Sequence, residues 1–159
     1  MENNPYASPK ADLGESQPDS AYQYVGFWSR VGASIIDTIL MMLVIGPVLT
    51  ALYGQEYWLA GVPEDTSAIW DILLNWLFPA FAVLAFWFYR SATPGKMAIK
   101  AKIIDAKTGG KPSIGQLILR YIGYWPSMLV FFLGIIWVAF DQRKQGWHDK
   151  IAGTLVVRK

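Results

Sequence analysis

Three stretches of this chain are long and apolar enough to cross a bilayer, and they limit what it can fold into. Val31–Tyr53 carries one charged residue, Asp37; Ile69–Tyr89 carries only Asp71; and Leu117–Phe140 carries only Arg120. About 20 apolar residues at 1.5 Å per residue span the hydrocarbon core, so each stretch is long enough to do so. In lipid every backbone amide must be satisfied within the segment, which selects helices. The expected fold class is therefore an all-α integral membrane protein, with two transmembrane helices and a third apolar segment that is either a re-entrant hairpin or a single span. Trp28, Trp58, Trp70, Trp87 and Tyr89 fall near the ends of the first two stretches, where interfacial anchors belong. The absence of cysteine excludes disulfides, thiolate metal sites and cysteine nucleophiles.

Charge sets the expected orientation. The loop 54–68 has Glu56, Glu64 and Asp65 but no Lys or Arg, whereas the loop after the second stretch has Arg90, Lys96, Lys100, Lys102, Lys107 and Lys111. By the positive-inside rule the amino terminus and that second loop are cytoplasmic. The tail Asp141–Lys159 holds five basic residues and belongs on the same side. Pro126 divides the third apolar segment, which leaves two arrangements. One is a re-entrant hairpin folding back at Gly123–Ser127, which returns the tail to the cytoplasm; the other is a single span. The basic tail favours the hairpin. "MAIKAKII" (97–104) alternates as a half-buried strand does, "DAKTGGK" reads as a turn, and "GTLVVRK" at the terminus is β-prone. Together they predict a small cytoplasmic β-like hairpin. Residues 1–23 combine prolines and acids with no apolar run, and read as a disordered leader before a membrane domain at 24–157.

The polar residues inside the apolar blocks are the candidate site. Arg30, Ser34 and Asp37 share one helix face by spacing. Arg30 and Asp37 lie about 10 Å apart along the axis, too far to pair within the helix. A charge in mid-helix costs about 2.5–3.5 kcal/mol on insertion scales, so Asp37 needs compensation. Arg120, at similar depth in a hairpin, is the expected partner. The pair reads as a structural clasp or as an ion- or proton-binding carboxylate tuned by Arg120. Asp71, Asn75 and Pro79 form a second stripe: a solvated acid at a helix start, a side chain for interhelical hydrogen bonding, and a kink.

Two tempting motifs do not hold. "SATPGKM" has Arg90 where a phosphate loop needs its first Gly, and Met97 where it needs Ser or Thr. A turn leading into a strand is the better reading. "FDQRKQGWHDK" contains the only histidine, His148, beside Asp149, but no second His or Cys supports a metal and no nucleophile stands at motif spacing. It reads as a juxtamembrane segment that contacts anionic headgroups. No enzyme, metal or cofactor is expected, and the lysines of the second loop read as an orientation signal rather than a nucleic-acid patch.

"GFWSRVGASIID", "SATPGKMAIKAKIIDAKTGGKPSIGQLILR" and "IIWVAFDQRKQGWHDKIAGTLVV" occur in this order between residues 24 and 157. Together they resemble the RDD family of membrane proteins. The resemblance implies one arginine and two aspartates as signature residues. Arg30 and Asp37 match directly, and Asp141 and Asp149 both fit the second aspartate. It also implies a bacterial inner-membrane domain for which transport has been proposed, some members being described as cation/proton antiporters and others as components of membrane assemblies. Two functions are expected accordingly. The first is a small transport or cation/proton exchange module built on Arg30, Asp37, Arg120 and Asp141 or Asp149, working as a homo-oligomer. The alternative is a non-transporting assembly or scaffold subunit with a membrane-protein partner.

Overall fold

A computed structural model describes residues 22–61 and 68–158 of the chain. The expected leader falls outside the described residues except at its end, and so do Glu64 and Asp65. The elements run β1 (Gln23–Tyr24), α1 (Phe27–Tyr53), α2 (Tyr57–Ala60), α3 (Ala68–Ile72), a π turn at Leu73–Leu77, α4 (Phe78–Arg90), α5 (Pro94–Ala98), β2 (Ala101–Asp105), α6 (Ile114–Leu129), α7 (Leu133–Ile136) with a 3₁₀ turn at Trp137–Ala139, α8 (Trp147–Ala152) and β3 (Thr154–Arg158).

The helix α1 and the continuous helix Ile69–Arg90 are each long and apolar enough to cross a membrane. Both are turned inside out relative to a soluble fold. Leu43 on α1 and Phe81 on α4 are exposed, as are most of their apolar neighbours, which suits a lipid surround. Pro79 explains the π turn. It has no N–H to donate to the carbonyl of Asn75, and its ring would clash there in a regular helix. Widening Leu73–Leu77 to five-residue spacing, with Phe78 N–H donating to Leu73 C=O, accommodates it. The kink expected at Pro79 is thus absorbed as a local bulge.

Pro126 does not break the third apolar segment. It lies inside α6, where the Ser127 hydroxyl donates to Gly123 C=O at 2.6 Å beside the lost backbone bond. The chain instead turns by 113° between α6 and the α7 turn. Phe131 and Phe132 carry it round in left-handed conformations, φ +47° and +58°. The bend is therefore several residues later than the proline suggests. A capping box starts α6: Gln116 N–H donates to Ser113 Oγ at 3.2 Å, and Ser113 N–H donates to Gln116 Oε1 at 2.9 Å.

The strand expected over 97–104 begins only at Ala101, because Pro94 presets φ for a helical first position and seeds α5. β2 and β3 pair antiparallel from Ala101↔Arg158 to Asp105↔Thr154, and β1 adds on the other side of β3 through Gln23↔Arg158. The order is β1-β3-β2. Period-two alternation gives the sheet two apolar faces. Ala101, Ile103 and Val156 pack with Val25, Trp87 and Leu117, while Ile104, Leu155 and Val157 pack with Tyr22, Tyr24 and Ala106. Trp87 is thus a core residue, 2% exposed, and not an interfacial anchor. Trp28, Trp58, Trp70 and Tyr89 are exposed as anchors should be.

Candidate functional site

Arg30, Arg120 and Asp149 meet where the first turn of α1 touches α6 and α8. Asp149 is fully buried at the third position of α8, and its two oxygens are held by different cations. Arg120 of α6 donates to Oδ1. Arg30 of α1 donates to Oδ2 at 2.5 Å, and Gly146 N–H adds a bond to the same oxygen at 3.0 Å. That last bond also closes the start of α8, since it satisfies an otherwise free amide of the helix end. Arg30 continues outward, donating through Nε to Val25 C=O at 3.0 Å and through its other terminal nitrogen to Lys144 C=O at 2.5 Å. Arg120 donates to the Thr154 hydroxyl at 2.7 Å, and its guanidinium lies 5.2 Å from the Trp87 ring. One carboxylate therefore ties α1, α6, α8 and the start of β3 together. α8 reaches α6 closely because Gly123 leaves room: a Cβ there would come within 2.9 Å of the His148 Cα.

Burial pushes the Asp149 carboxyl up, but Arg120 and Arg30 outweigh it and hold the group below the usual carboxylate range. His148 stacks on Tyr124 with ring centres 3.9 Å apart, and neither ring nitrogen has a hydrogen-bond partner among the described residues. Burial pushes its pKa down to about 3, against a partial upward pull from Asp149. At neutral pH it is an uncharged ring.

Asp37 lies elsewhere. Its carboxylate accepts from the Thr93 hydroxyl at 2.5 Å and from Gly95 N–H at 2.6 Å, which fastens α5 to α1. The expected Asp37–Arg120 pair is not formed; Arg120 finds its carboxylate in Asp149. The contact between α5 and α1 is so close that only glycine fits at 95: a Cβ would lie 1.9 Å from the Ala33 carbonyl oxygen. "SATPGKM" is accordingly a docking turn. Lys96, beside it, is 7% exposed and has no salt-bridge partner among the described residues. Burial lowers its pKa from the ordinary lysine value.

Asp141 takes no part in this cluster. It pairs with Lys150 at 2.5 Å in a part-exposed position and accepts from the Arg143 and Gln145 amides at 3.1 Å each. Between the two aspartates that fit the ending motif, Asp149 is the one joined to Arg30. Asp71 accepts from Asn75 at 2.5 Å, and Asn75 also donates to the Tyr57 hydroxyl at 3.2 Å. No group of three or more His, Cys, Asp or Glu suited to a metal occurs among the described residues.

The roles of Thr93, Gly95, Lys96, Tyr124 and Thr154 are not legible in the sequence, where SATPGKM reads as a turn and Lys96 as an orientation signal. The signal for the first three was the tight Thr-Pro-Gly turn, since such a turn implies close backbone approach. Tyr124 and Thr154 carry no signal without the fold.

The model of the RDD family matches residues 24–153. The uncharacterized protein YxaI of Bacillus subtilis is 32% identical over 84% of this chain and 97% of its own length. The uncharacterized membrane protein YteJ of the same species is 27% identical over 87% of this chain and 83% of its length. The uncharacterized protein RP437 of Rickettsia prowazekii is 40% identical over a shorter stretch, 47% of this chain and 41% of RP437. No solved structure matches. With two helices able to cross a bilayer and a family match over most of its length, this chain is a membrane protein and belongs to the RDD family.

Proposed function

We propose that the chain is a non-enzymatic assembly module of a bacterial inner membrane. It crosses the bilayer twice, with its amino terminus and sheet in the cytoplasm and its third apolar segment re-entrant. The supporting observation is where the carboxylates go. Asp149 gives both oxygens to Arg30, Arg120 and a backbone amide, and Asp37 gives both to Thr93 and Gly95. Both act as fasteners between elements, and a fastened carboxylate is poorly placed to exchange a cation. The re-entrant topology is supported by the sheet, whose strands come from before α1, after α4 and the carboxyl terminus. Strands in one sheet lie on one side of the bilayer. In this reading the exposed faces of α1 and α4 meet lipid and the helices of a membrane-protein partner or a second copy, and the charges hold those faces in one arrangement.

The test is a double-mutant cycle on Asp37→Asn and Thr93→Val, read by thermal unfolding and by co-purified assembly. Each single change is expected to cost about 1–3 kcal/mol with strong coupling between them. Unchanged stability and assembly in Asp37→Asn would refute the reading.

Cation or proton exchange is the second reading, and one observation favours it. Asp37 and Lys96 both line a cavity of 500 Å³ between α1, α4 and α6. Exchange would use Asp37 as the working carboxylate, with Lys96 as its neighbouring charge, in a homo-oligomer large enough to form a pathway. It predicts that Asp37→Asn keeps the fold and loses flux.

A further inference from the structure

A second cavity, of 450 Å³, lies between α1, α6, α7 and α8, and the fasteners do not account for it. Its wall changes character along α1. Near the first turn Arg30 stands with Phe27 and Val31; Lys96, Tyr124 and Ser34 also line the wall, and further along Ile39 and Met128 take over. Ile39 lies about 13 Å deeper than Arg30 along the helix. Among the described residues no carboxylate lines this cavity. Ile39 and Met128 are 54% and 47% exposed, so the apolar end opens sideways onto the surface that lipid covers.

The charges around it do not balance. Arg30 and Arg120 share the single carboxylate of Asp149. Lys96 is a third cation, buried and without an ion-pair partner among the described residues. Asp37 is the nearest opposing charge on α1, and its oxygens are already committed to Thr93 and Gly95. A buried cation without a paired anion is costly, so the site favours an anion brought from outside. Lys96 suits a phosphate oxygen as a point charge, and Arg30, whose three nitrogens already donate to Val25, Lys144 and Asp149, adds its positive charge and the remaining N–H groups of its terminal nitrogens.

We infer that this cavity is a binding site for an anionic phospholipid, with its phosphate between Arg30 and Lys96 and an acyl chain along Ile39 and Met128. The phosphate chemistry alone would also suit free phosphate. The sideways opening and the apolar half of the wall favour a molecule that carries both charge and hydrocarbon. Burial lowers the Lys96 pKa, and an anion at this position would favour its charged form.

The experiment is native mass spectrometry of the full-length protein. It is taken from a bilayer of phosphatidylglycerol and phosphatidylcholine with identical acyl chains, with inorganic phosphate added in a parallel arm. The expected result is retention of phosphatidylglycerol over phosphatidylcholine, a preference reduced about tenfold by Lys96→Gln, as loss of one charge-assisted contact implies. Ser34→Phe, at an exposed position of α1, should block the cavity and reduce retention even if Lys96→Gln fails to fold. Equal retention of both lipids, or an unchanged preference in a folded variant of either kind, would overturn the proposal. Displacement of the lipid by inorganic phosphate would also overturn it and make this a free-anion site.

Discussion

Asp149 is where one side chain has the most effect. It is fully buried with a guanidinium on either side, so removing its charge leaves Arg120 buried and unpaired. Breaking such a pair costs about 3–5 kcal/mol, and Asp149→Asn should lower the thermal midpoint accordingly in detergent. A loss below about 1 kcal/mol would mean that solvent reaches the cluster. Asp149→Asn and Arg120→Met should be strongly non-additive, since they remove one interaction. His148 gives a pH test. Its folded pKa of about 3 lies below its ordinary value of 6.5, so the unfolded chain binds the proton first. Its contribution is complete above about pH 6.5 and lost as pH falls toward 3, at up to about 1.4 kcal/mol per pH unit. Asp149 adds to this only below the ordinary carboxylate value, because its folded pKa is depressed. His148→Phe keeps a ring to stack on Tyr124, and should flatten the stability curve between pH 6 and 4. An unchanged slope would assign that loss to other groups.

At the scale of elements, the membrane helices could be read from the sequence and the sites that fasten them could not. Long apolar runs give the first two spans to within a few residues, since lipid tolerates little else. The strand pairing of 101–105 with 154–158 follows from alternation and the basic tail. What the sequence withheld was the partner of each charge. Asp37 and Arg120 are the most costly residues of two apolar runs and pair naturally on paper. Depth alone does not distinguish Asp37 from Asp149, which reaches Arg120 only once α8 has packed on α6. Pro126 misleads for a related reason, because one lost backbone bond in an apolar helix is cheaper than breaking the helix. The docking of α5 on α1 gives the test at this scale. Gly95→Ala pushes a methyl into the Ala33 carbonyl, so the variant must separate the two helices. It should cost about 1–3 kcal/mol or more and weaken the Asp37 bonds with it, as read by thermal unfolding. Gly26→Ala, where a Cβ meets nothing within 4 Å, is the control and should change stability little.

For the molecule as a whole, the sheet makes a strong demand on topology. β1, β2 and β3 come from three separate parts of the chain, and the proposed topology puts those parts on one side of the bilayer. With no native cysteine to remove, Lys107→Cys and Arg158→Cys should react with an impermeant thiol reagent from the same side, and Gln55→Cys from the other. Labelling of positions 107 and 158 from opposite sides would require the third apolar segment to cross once and would break the sheet. The charges at the junction of sheet and helices then have a consistent role. Arg30, Arg120 and Asp149 fix α1, α6 and α8 together, and Asp37 fixes the turn after the second span against the first. The claim that these carboxylates hold the fold, and do not carry ions, is tested most directly by cation-driven proton flux in proteoliposomes. Wild type should be compared with Asp37→Asn at matched insertion, across Na⁺, K⁺ and Li⁺. No flux above protein-free vesicles is expected from either, together with a lower thermal midpoint for the variant. Flux in the wild type that Asp37→Asn abolishes without loss of stability would contradict that claim and make Asp37 the working carboxylate of an exchanger.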